Sequence, residues 1–442
     1  MSAFHRRPAA LILSLSLILC LSACGSSQVT PTPTAAVSSM PTAAPARAEM
    51  TQRLIKILEE NPNVKNLLQK SIDAAKKINP DPLTNPAQSL EEYYDYIDWA
   101  CTAMPWNISK NVKAEGLYEK IDQSLNYFYF INDQPLDELE GQGLYNNSLQ
   151  YAEPYRSWLI EFTRAWGEYL STPESWNEEY YQLAYADERF GLQTDWYESP
   201  DNWTTFNEFF SRRLSSTDQR PIAAVGDNSV VVSPADSTPQ GVWQIDENSM
   251  IVQKANDKAL IKSREFDSIA ALIGPNSKYK DAFGGGVLTH TFLDVHDYHR
   301  YHFPVSGTIL EVTHIPQDDA VGGYVTWDEE SGSYILNAET PGWQMIETRD
   351  CVIMQTEDYG LVALLPIGMS QVSSVNFEDT VKVGATVKKG DALGYFLFGG
   401  SDFVIIFQKE ANFQITAPSG RDETYDHIFM GQEYGILGQA RS

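Results

Sequence analysis

The chain has 442 residues, with 32 Lys and Arg against 59 Asp and Glu, a formal charge of −27. Its apolar content of 43% and aromatic content of 12% suit a chain that buries a core, which excludes a largely disordered protein. The acidic balance excludes nucleic acid as a partner, because phosphates meet a repulsive field, and four cysteines are too few for a disulfide scaffold.

At the N-terminus, Arg6 and Arg7 precede an apolar run from Ala9 to Leu21 and then small residues. That is a secretory signal pattern, shorter than the roughly 20 apolar residues a spanning helix needs. Leu21-Ser22-Ala23-Cys24 resembles the lipobox of bacterial lipoproteins. The resemblance implies removal of residues 1–23 and a lipid on the Cys24 thiol, with the protein anchored at the outer face of a bacterial cytoplasmic membrane or held in the periplasm. Residues 24–50 are Ser, Thr, Pro and Ala with few bulky side chains, a composition that predicts a flexible tether.

From Thr51 to about residue 195 the apolar period is helical. Leu54, Ile55, Ile57, Leu58, Val64, Leu67, Leu68 and Ile72 recur near every 3.6 residues, and Asn61-Pro62 predicts a break between two helices. A further helix is expected over 155–170, with Trp158, Leu159, Phe162, Trp166 and Leu170 on one face. The tryptophans of this half (Trp99, Trp106, Trp158, Trp166 and Trp176) read as core. From about Val230 the period becomes two. Val230–Val232, Tyr324–Thr326, Cys351–Met354, Leu361–Leu365 and Phe403–Phe407 read as strands, and turn glycines punctuate Val381–Asp391. The expected class is α+β: a helical domain over 51–195, then a mainly β domain over 196–442.

Six of the seven histidines lie between positions 290 and 427, four of them as His290, His296, His299 and His302. No Cys pair and no HExxH spacing accompanies them, so no metal is expected. The string Asp297-Tyr298-His299-Arg300-Tyr301-His302-Phe303-Pro304 resembles a motif of the phosphatidylserine decarboxylase family. Three more segments match that family in order: Trp203 to Leu214 ending in Arg220-Pro221-Ile222, then Ser233-Pro234-Ala235-Asp236, then Phe398-Gly399-Gly400-Ser401 followed by Asp402 to Phe407. Taken singly, a Gly-Gly-Ser run is a turn and Asp236 a turn cap; four matches in fixed order favour a site.

The resemblance implies self-cleavage between Gly400 and Ser401, with residue 401 converted to a covalent pyruvoyl group that serves as the cofactor. The two products would stay associated, and a homodimer is an open expectation. A serine hydroxyl is a weak nucleophile and needs a base. His302 is the candidate base and Asp236 its candidate orienter, as in a Ser-His-Asp triad. His299, Arg300 and Lys262 are the substrate-side candidates, and His299 or His302 could return a proton to the substrate carbon.

Three positions depart from the family pattern. Ser237 follows Asp236 where Gly is usual, Lys262 is followed by Ser263 rather than Gly, and Asp402 follows Ser401 where Thr or Ser is usual. A carboxylate at 402 is expected to oppose the developing oxyanion and slow cleavage. The helical half resembles that of a subgroup that includes fungal enzymes acting on free tryptophan, through Asp133-Gln134-Pro135-Leu136, Trp166-Gly167 and Pro173-Glu174-Ser175-Trp176. Phosphatidylserine at a membrane is the first substrate reading. A free amino acid such as tryptophan is the second, and it avoids bringing an acidic body to an anionic leaflet. A third reading is an inactive lipoprotein that uses the β half for binding.

Overall fold

The computed structural model describes residues 46–102, 117–140, 147–252, 260–261, 264–265, 268–315, 325–336, 348–368, 375–398, 401–420 and 424–438. Cys24, Trp106, Lys262 and Gly400 lie outside the described residues. Arg47 to Ser442 forms one compact unit, with helices in its N-terminal part and mainly β-sheet after it, an α+β arrangement.

Helix α1 (Glu49–Glu60) ends at Asn61, and Pro62, which has no amide hydrogen to lose, opens α2 (Pro62–Ile78). Three more helices follow: α3 (Leu90–Ala100), α4 (Leu117–Asn132) and α5 (Tyr155–Tyr169). The Ser89 side chain caps α3 by accepting the amide of Glu92. The seam of Leu54, Leu58, Leu68 and Ile72 packs with Tyr93, Ile97, Phe130 and Trp158 into one core.

The helical core stops near Phe162, before the boundary expected at 195. Leu170, Ala184 and Phe190 pack instead into the β core, together with α6 (Glu178–Ala186) and α7 (Phe206–Phe210). The tryptophans divide in the same way. Trp158 is fully buried among the helices, Trp166 and Trp176 pack against the β core, and Trp99 stands 37% exposed, contrary to its expected core place.

The strands, in chain order, are β1 (Val230–Val232), β2 (Thr238–Gln244), β3 (Leu260–Ile261), β4 (Arg264–Glu265), β5 (Val287–Leu293), β6 (Arg300–His302), β7 (Gly307–Ile315), β8 (Val325–Asp328) and β9 (Ser333–Leu336). They continue as β10 (Thr348–Gln355), β11 (Leu361–Gly368), β12 (Val375–Phe377), β13 (Thr386–Val387), β14 (Ala392–Phe396), β15 (Ser401–Phe407), β16 (Gln414–Ile415) and β17 (Glu433–Ile436). A short helix, α8 (Ile269–Ile273), lies between β4 and β5. The main sheet has the order β13-β7-β10-β11-β15-β5-β2, and its pairings are antiparallel.

Both faces of this sheet are covered, which is why its central strands read as continuous apolar runs. One face carries Val352, Leu364, Phe403 and Ile405 against α7 and the three-stranded sheet β12-β14-β6. The other carries Ile353, Ala363, Val404 and Ile406 against Leu272 and Ile273 of α8.

The β half also reaches into the helical core through the β8–β9 hairpin. Val325 and Tyr334 are buried there. Asp133 accepts the amide of Val325 at 2.7 Å, and Gln123 exchanges hydrogen bonds with both the amide (2.7 Å) and the carbonyl (2.8 Å) of Tyr334. The Tyr334 hydroxyl donates to the Thr84 carbonyl at 2.8 Å and accepts from Asn79 Nδ2 at 2.9 Å. Tyr334→Phe should cost about 1–3 kcal/mol, because it strips a buried carbonyl of its donor. Urea unfolding measures this, and a variant as stable as the parent would mean that the hydroxyl does not fasten the hairpin.

Candidate active site

The register of the main sheet gathers the motif residues at one end. Ser401, the first residue of β15, pairs with Leu293, the last of β5, and with Gly368, the last of β11. Thr238, the first of β2, pairs with Phe292 of β5, so Asp236 lies two residues before that same sheet end. The backbone amide of His302 donates to the Pro234 carbonyl at 2.8 Å, which ties β6 to the Ser233–Asp236 segment. Segments far apart in sequence thereby meet because strands β2, β5 and β15 are neighbours.

Ser401 is fully buried, and its Oγ has no hydrogen-bond partner among the described residues. The chain reaches it through Phe398, whose amide donates to Asn207 Oδ1 at 3.1 Å and whose ring meets Phe206 and Phe210 edge-on. Asn207 and both phenylalanines sit on α7, which a capping box of Thr205 and Glu208 starts cleanly. His299 stacks on the Phe210 ring at 3.9 Å, and its carbonyl accepts the Phe396 amide. His299 therefore packs beside the segment that leads into Ser401.

Each imidazole has its tautomer set by a backbone carbonyl. His299 Nδ1 donates to the Asp297 carbonyl and His302 Nδ1 to the Gly390 carbonyl, both at 2.9 Å. In the neutral ring this leaves Nε2 as the acceptor, the atom a general base uses. Gly390 holds φ +89°, and a Cβ there would meet Ile222 at 2.7 Å, so only glycine suits the turn that presents this carbonyl. His302 Nε2 in turn faces the Tyr298 hydroxyl at 3.2 Å. Arg212, fully buried with its guanidinium 4.3 Å from the Tyr197 ring centre, donates to the carbonyls of His296 and Asp297 and holds the loop before His299.

The expected hydrogen-bonded chain Ser401–His302–Asp236 does not form: no hydrogen bond joins these three side chains among the described residues. Asp236 is instead clamped by Arg220, with Nη2 to Oδ2 at 2.7 Å and Nε to Oδ1 at 2.9 Å, and its Oδ1 also accepts the Met430 amide at 2.8 Å. Arg220 lies between the rings of Trp196 and Phe429, each 4.5 Å from its guanidinium carbon. Asp236 thus acts on His302 through space. Burial pushes the His302 pKa below its ordinary value, the Gly390 hydrogen bond opposes this, the Arg300 charge lowers it further and the Asp236 charge raises it.

Two further expectations change with the geometry. Arg300 is buried, its guanidinium paired with Glu378 at 2.5 Å, bonded to the Ser211 carbonyl and set over the Tyr395 ring. Its charge is already matched, which weakens its reading as a phosphate contact. It lines a cleft of about 530 Å³ with Glu198, Arg213, Glu378, Asp379 and Tyr395, and this cleft includes none of Ser401, His299, His302 or Asp236. Asp402 does not crowd Ser401. Successive strand side chains point to opposite faces, and the Asp402 carboxylate meets His290 Nε2 at 2.8 Å on the other side of the sheet. The composition of the sequence put a carboxylate beside the serine; the pleat separates them.

Sequence reasoning missed Arg220 as the partner of Asp236, Gly390 as the acceptor for His302, and His290 as the partner of Asp402. Arg220 lay inside a matched motif, but nothing in its spacing told which of the acids it would meet. Among the described residues no group of three or more His, Cys, Asp or Glu side chains is arranged to hold a metal ion. No described helix is long and apolar enough to cross a membrane. Cys101 and Cys351 are free thiols.

Comparison with known proteins gives the family. The family profile described as phosphatidylserine decarboxylase matches residues 206–436, just over half of the chain. The chain belongs to the phosphatidylserine decarboxylase family. Phosphatidylserine decarboxylase proenzyme 2 of Oryza sativa subsp. japonica is 34% identical over 212 residues, 48% of this chain but only 30% of that protein. Phosphatidylserine decarboxylase proenzyme of Fusobacterium nucleatum is 28% identical over 281 residues, 62% of this chain and 83% of that protein. L-tryptophan decarboxylase of Psilocybe cyanescens is 29% identical over 231 residues, 48% of each chain.

Three outcomes are expected from this geometry. Arg220→Met should destabilise the fold by about 3–5 kcal/mol, because it leaves the buried Asp236 without its counter-charge; thermal or urea unfolding checks it. A histidine with a lowered pKa stays neutral, and competent as a base, to below its ordinary value of about 6.5. Any reaction that uses His302 as base should therefore lose rate only as the pH falls below about 6.5, and the fold should lose stability over that same acid range, because protonating the buried ring costs more in the folded chain than in the unfolded one. Asp236→Asn removes a charge that raises this pKa, so it should move the acid limb lower still; a limb that moves up contradicts the assignment.

Proposed function

We propose that the chain is a self-processing, pyruvoyl-dependent decarboxylase that cuts itself between Gly400 and Ser401 and decarboxylates phosphatidylserine. The observation that carries this reading is the Ser401 hydroxyl, fully buried at the start of a central strand and without a hydrogen-bond partner among the described residues. An unsatisfied buried hydroxyl costs about 1–3 kcal/mol, which a merely structural serine has no reason to bear. A nucleophile that must be free to attack its own chain does have one.

In the cutting step the Ser401 oxygen attacks the Gly400 carbonyl carbon and its proton passes to an imidazole Nε2. The C–N bond then breaks, the nitrogen takes a proton, and the peptide becomes an ester. His302 is the assigned base, since the Asp236 charge favours the imidazolium that forms. Elimination would free Gly400 as a carboxylate, and hydrolysis would release ammonia. The pyruvoyl group left at residue 401 would supply an electrophilic carbonyl that takes the substrate amine and accepts the electron pair as carbon dioxide leaves. His299, packed beside the approach to residue 401, is assigned the proton that returns to the substrate carbon. Strand β15 lies between β5 and β11, both upstream of the cut, so the two products would share one sheet and stay together.

A second reading, decarboxylation of a free amino acid such as tryptophan, is favoured by two observations. Relatives named as L-tryptophan decarboxylases match the chain at 28–29% identity. The body is also strongly acidic, which suits a substrate from solution better than an anionic leaflet. We further propose a lipid on Cys24 as the attachment to the cell envelope; Cys24→Ser should then move the protein from the membrane to the soluble fraction.

Carbon dioxide release from phosphatidylserine vesicles and from free tryptophan, measured in parallel, tests the reading and separates the substrates. Ser401→Ala should remove turnover of both to background. Turnover retained in Ser401→Ala contradicts the proposal, and release from tryptophan alone selects the second substrate.

A further inference from the structure

If the chain is cut before Ser401, the first residue of β15 loses its covalent link to the preceding chain and becomes a chain terminus. Strand ends fray, and the frayed residue here would be the one that carries the reacting group. A misplacement of about 1 Å at a reacting centre can cost on the order of 100-fold in rate. Something downstream of the cut must therefore hold the new end in place.

Asp402 is the second residue after the cut, next to the one that carries the reacting group, and its carboxylate bonds to His290 Nε2 at 2.8 Å. The side chains of Asp402 and His290 are 1% and 4% exposed. The register explains the meeting. Asp402 lies opposite Phe292, and His290, two residues along β5, shares that face and sits on the diagonal. His290 Nδ1 has no partner among the described residues, so the neutral ring with its hydrogen on Nε2, donating to Asp402, leaves no buried donor unpaired. The pair lies on the opposite face of β15 from Ser401, where it can fix the strand without entering the space around residue 401.

We propose that Asp402 and His290 are positioning residues that anchor the newly made end of β15 after self-cleavage. This rests on the cut proposed above and adds to it what holds residue 401 once the covalent link to residue 400 is gone. It also gives the departure at position 402 a purpose, as half of a cross-strand fastening.

The test compares full-length wild type, Asp402→Asn, and the double variant Asp402→Leu with His290→Leu. The double variant removes the pair without stranding one buried charge, so it is expected to fold. Asp402→Asn keeps an acceptor for His290 Nε2 and serves as the conservative rescue. Chain splitting is read by mass spectrometry, amide exchange along 402–407 by hydrogen–deuterium exchange, and kcat and KM on the substrate that the wild type turns over. In the double variant, splitting should proceed, because the intact chain still holds residue 401. After splitting, its amides at the start of β15 should exchange faster than those of wild type. Its kcat should fall by about tenfold or more, as expected for a reacting group held loosely, with KM little changed. Asp402→Asn should stay close to wild type in both. Wild-type exchange and kcat in the split double variant overturn the anchor alone. A wild type that never splits overturns the proposed function and the anchor with it.

Discussion

A strand buried on both faces sends alternate side chains into two different interiors, and β15 begins inside such a sheet. That alternation decides the chemistry available at its first two residues. Ser401 shares the face of Phe403 and Ile405, against the layer that contains α7, β6 and β14. Asp402 shares the face of Val404 and Ile406, against α8, and finds His290 there. A slip of one residue in the pairing with β5 would exchange these rows, placing the carboxylate among the motif residues and the hydroxyl in the opposite core. Antiparallel pairing with both β5 and β11, over all seven residues of the strand, resists such a slip.

Around that strand end, charge is handled by pairing rather than by a relay. Asp236 and Arg220 are each about 2% exposed and neutralise one another, with the arginine also covered by two aromatic rings. Buried charges survive when paired and hydrogen-bonded, and the Asp236 carboxylate has three donor atoms in place. The imidazoles of His299 and His302 are oriented by backbone carbonyl groups and not by acids. Burial lowers the His302 pKa, and the Asp236 charge offsets part of that lowering without a hydrogen bond to the ring.

The parts of this protein legible in the sequence are those written in local patterns. Pro62 ended a helix because its ring and missing amide act on its own neighbours. The apolar runs at 351–354, 361–365 and 403–407 were strands because a doubly covered strand has no polar row. The β8–β9 hairpin was visible only as a strand-like run; that Tyr334 belongs to the helical core depends on partners more than 200 residues away. Asp236, His302 and Ser401 were found by motif order, yet their side-chain bonds were not, since spacing along the chain says nothing about which of several acids a buried arginine will meet. Asp402 meets His290 and not the Ser401 hydroxyl for the same reason: its neighbour in sequence is not its neighbour in space.

The central claim is that the chain cuts itself before Ser401 and converts that residue. The most direct measurement is the intact mass of the C-terminal fragment from purified full-length protein. The account predicts a 42-residue fragment, residues 401–442, lighter than its unmodified sequence by a net NH3, with its first residue blocked to amine-reactive reagents. A single uncut chain after prolonged incubation, or a fragment that begins with an ordinary serine amine, would contradict it.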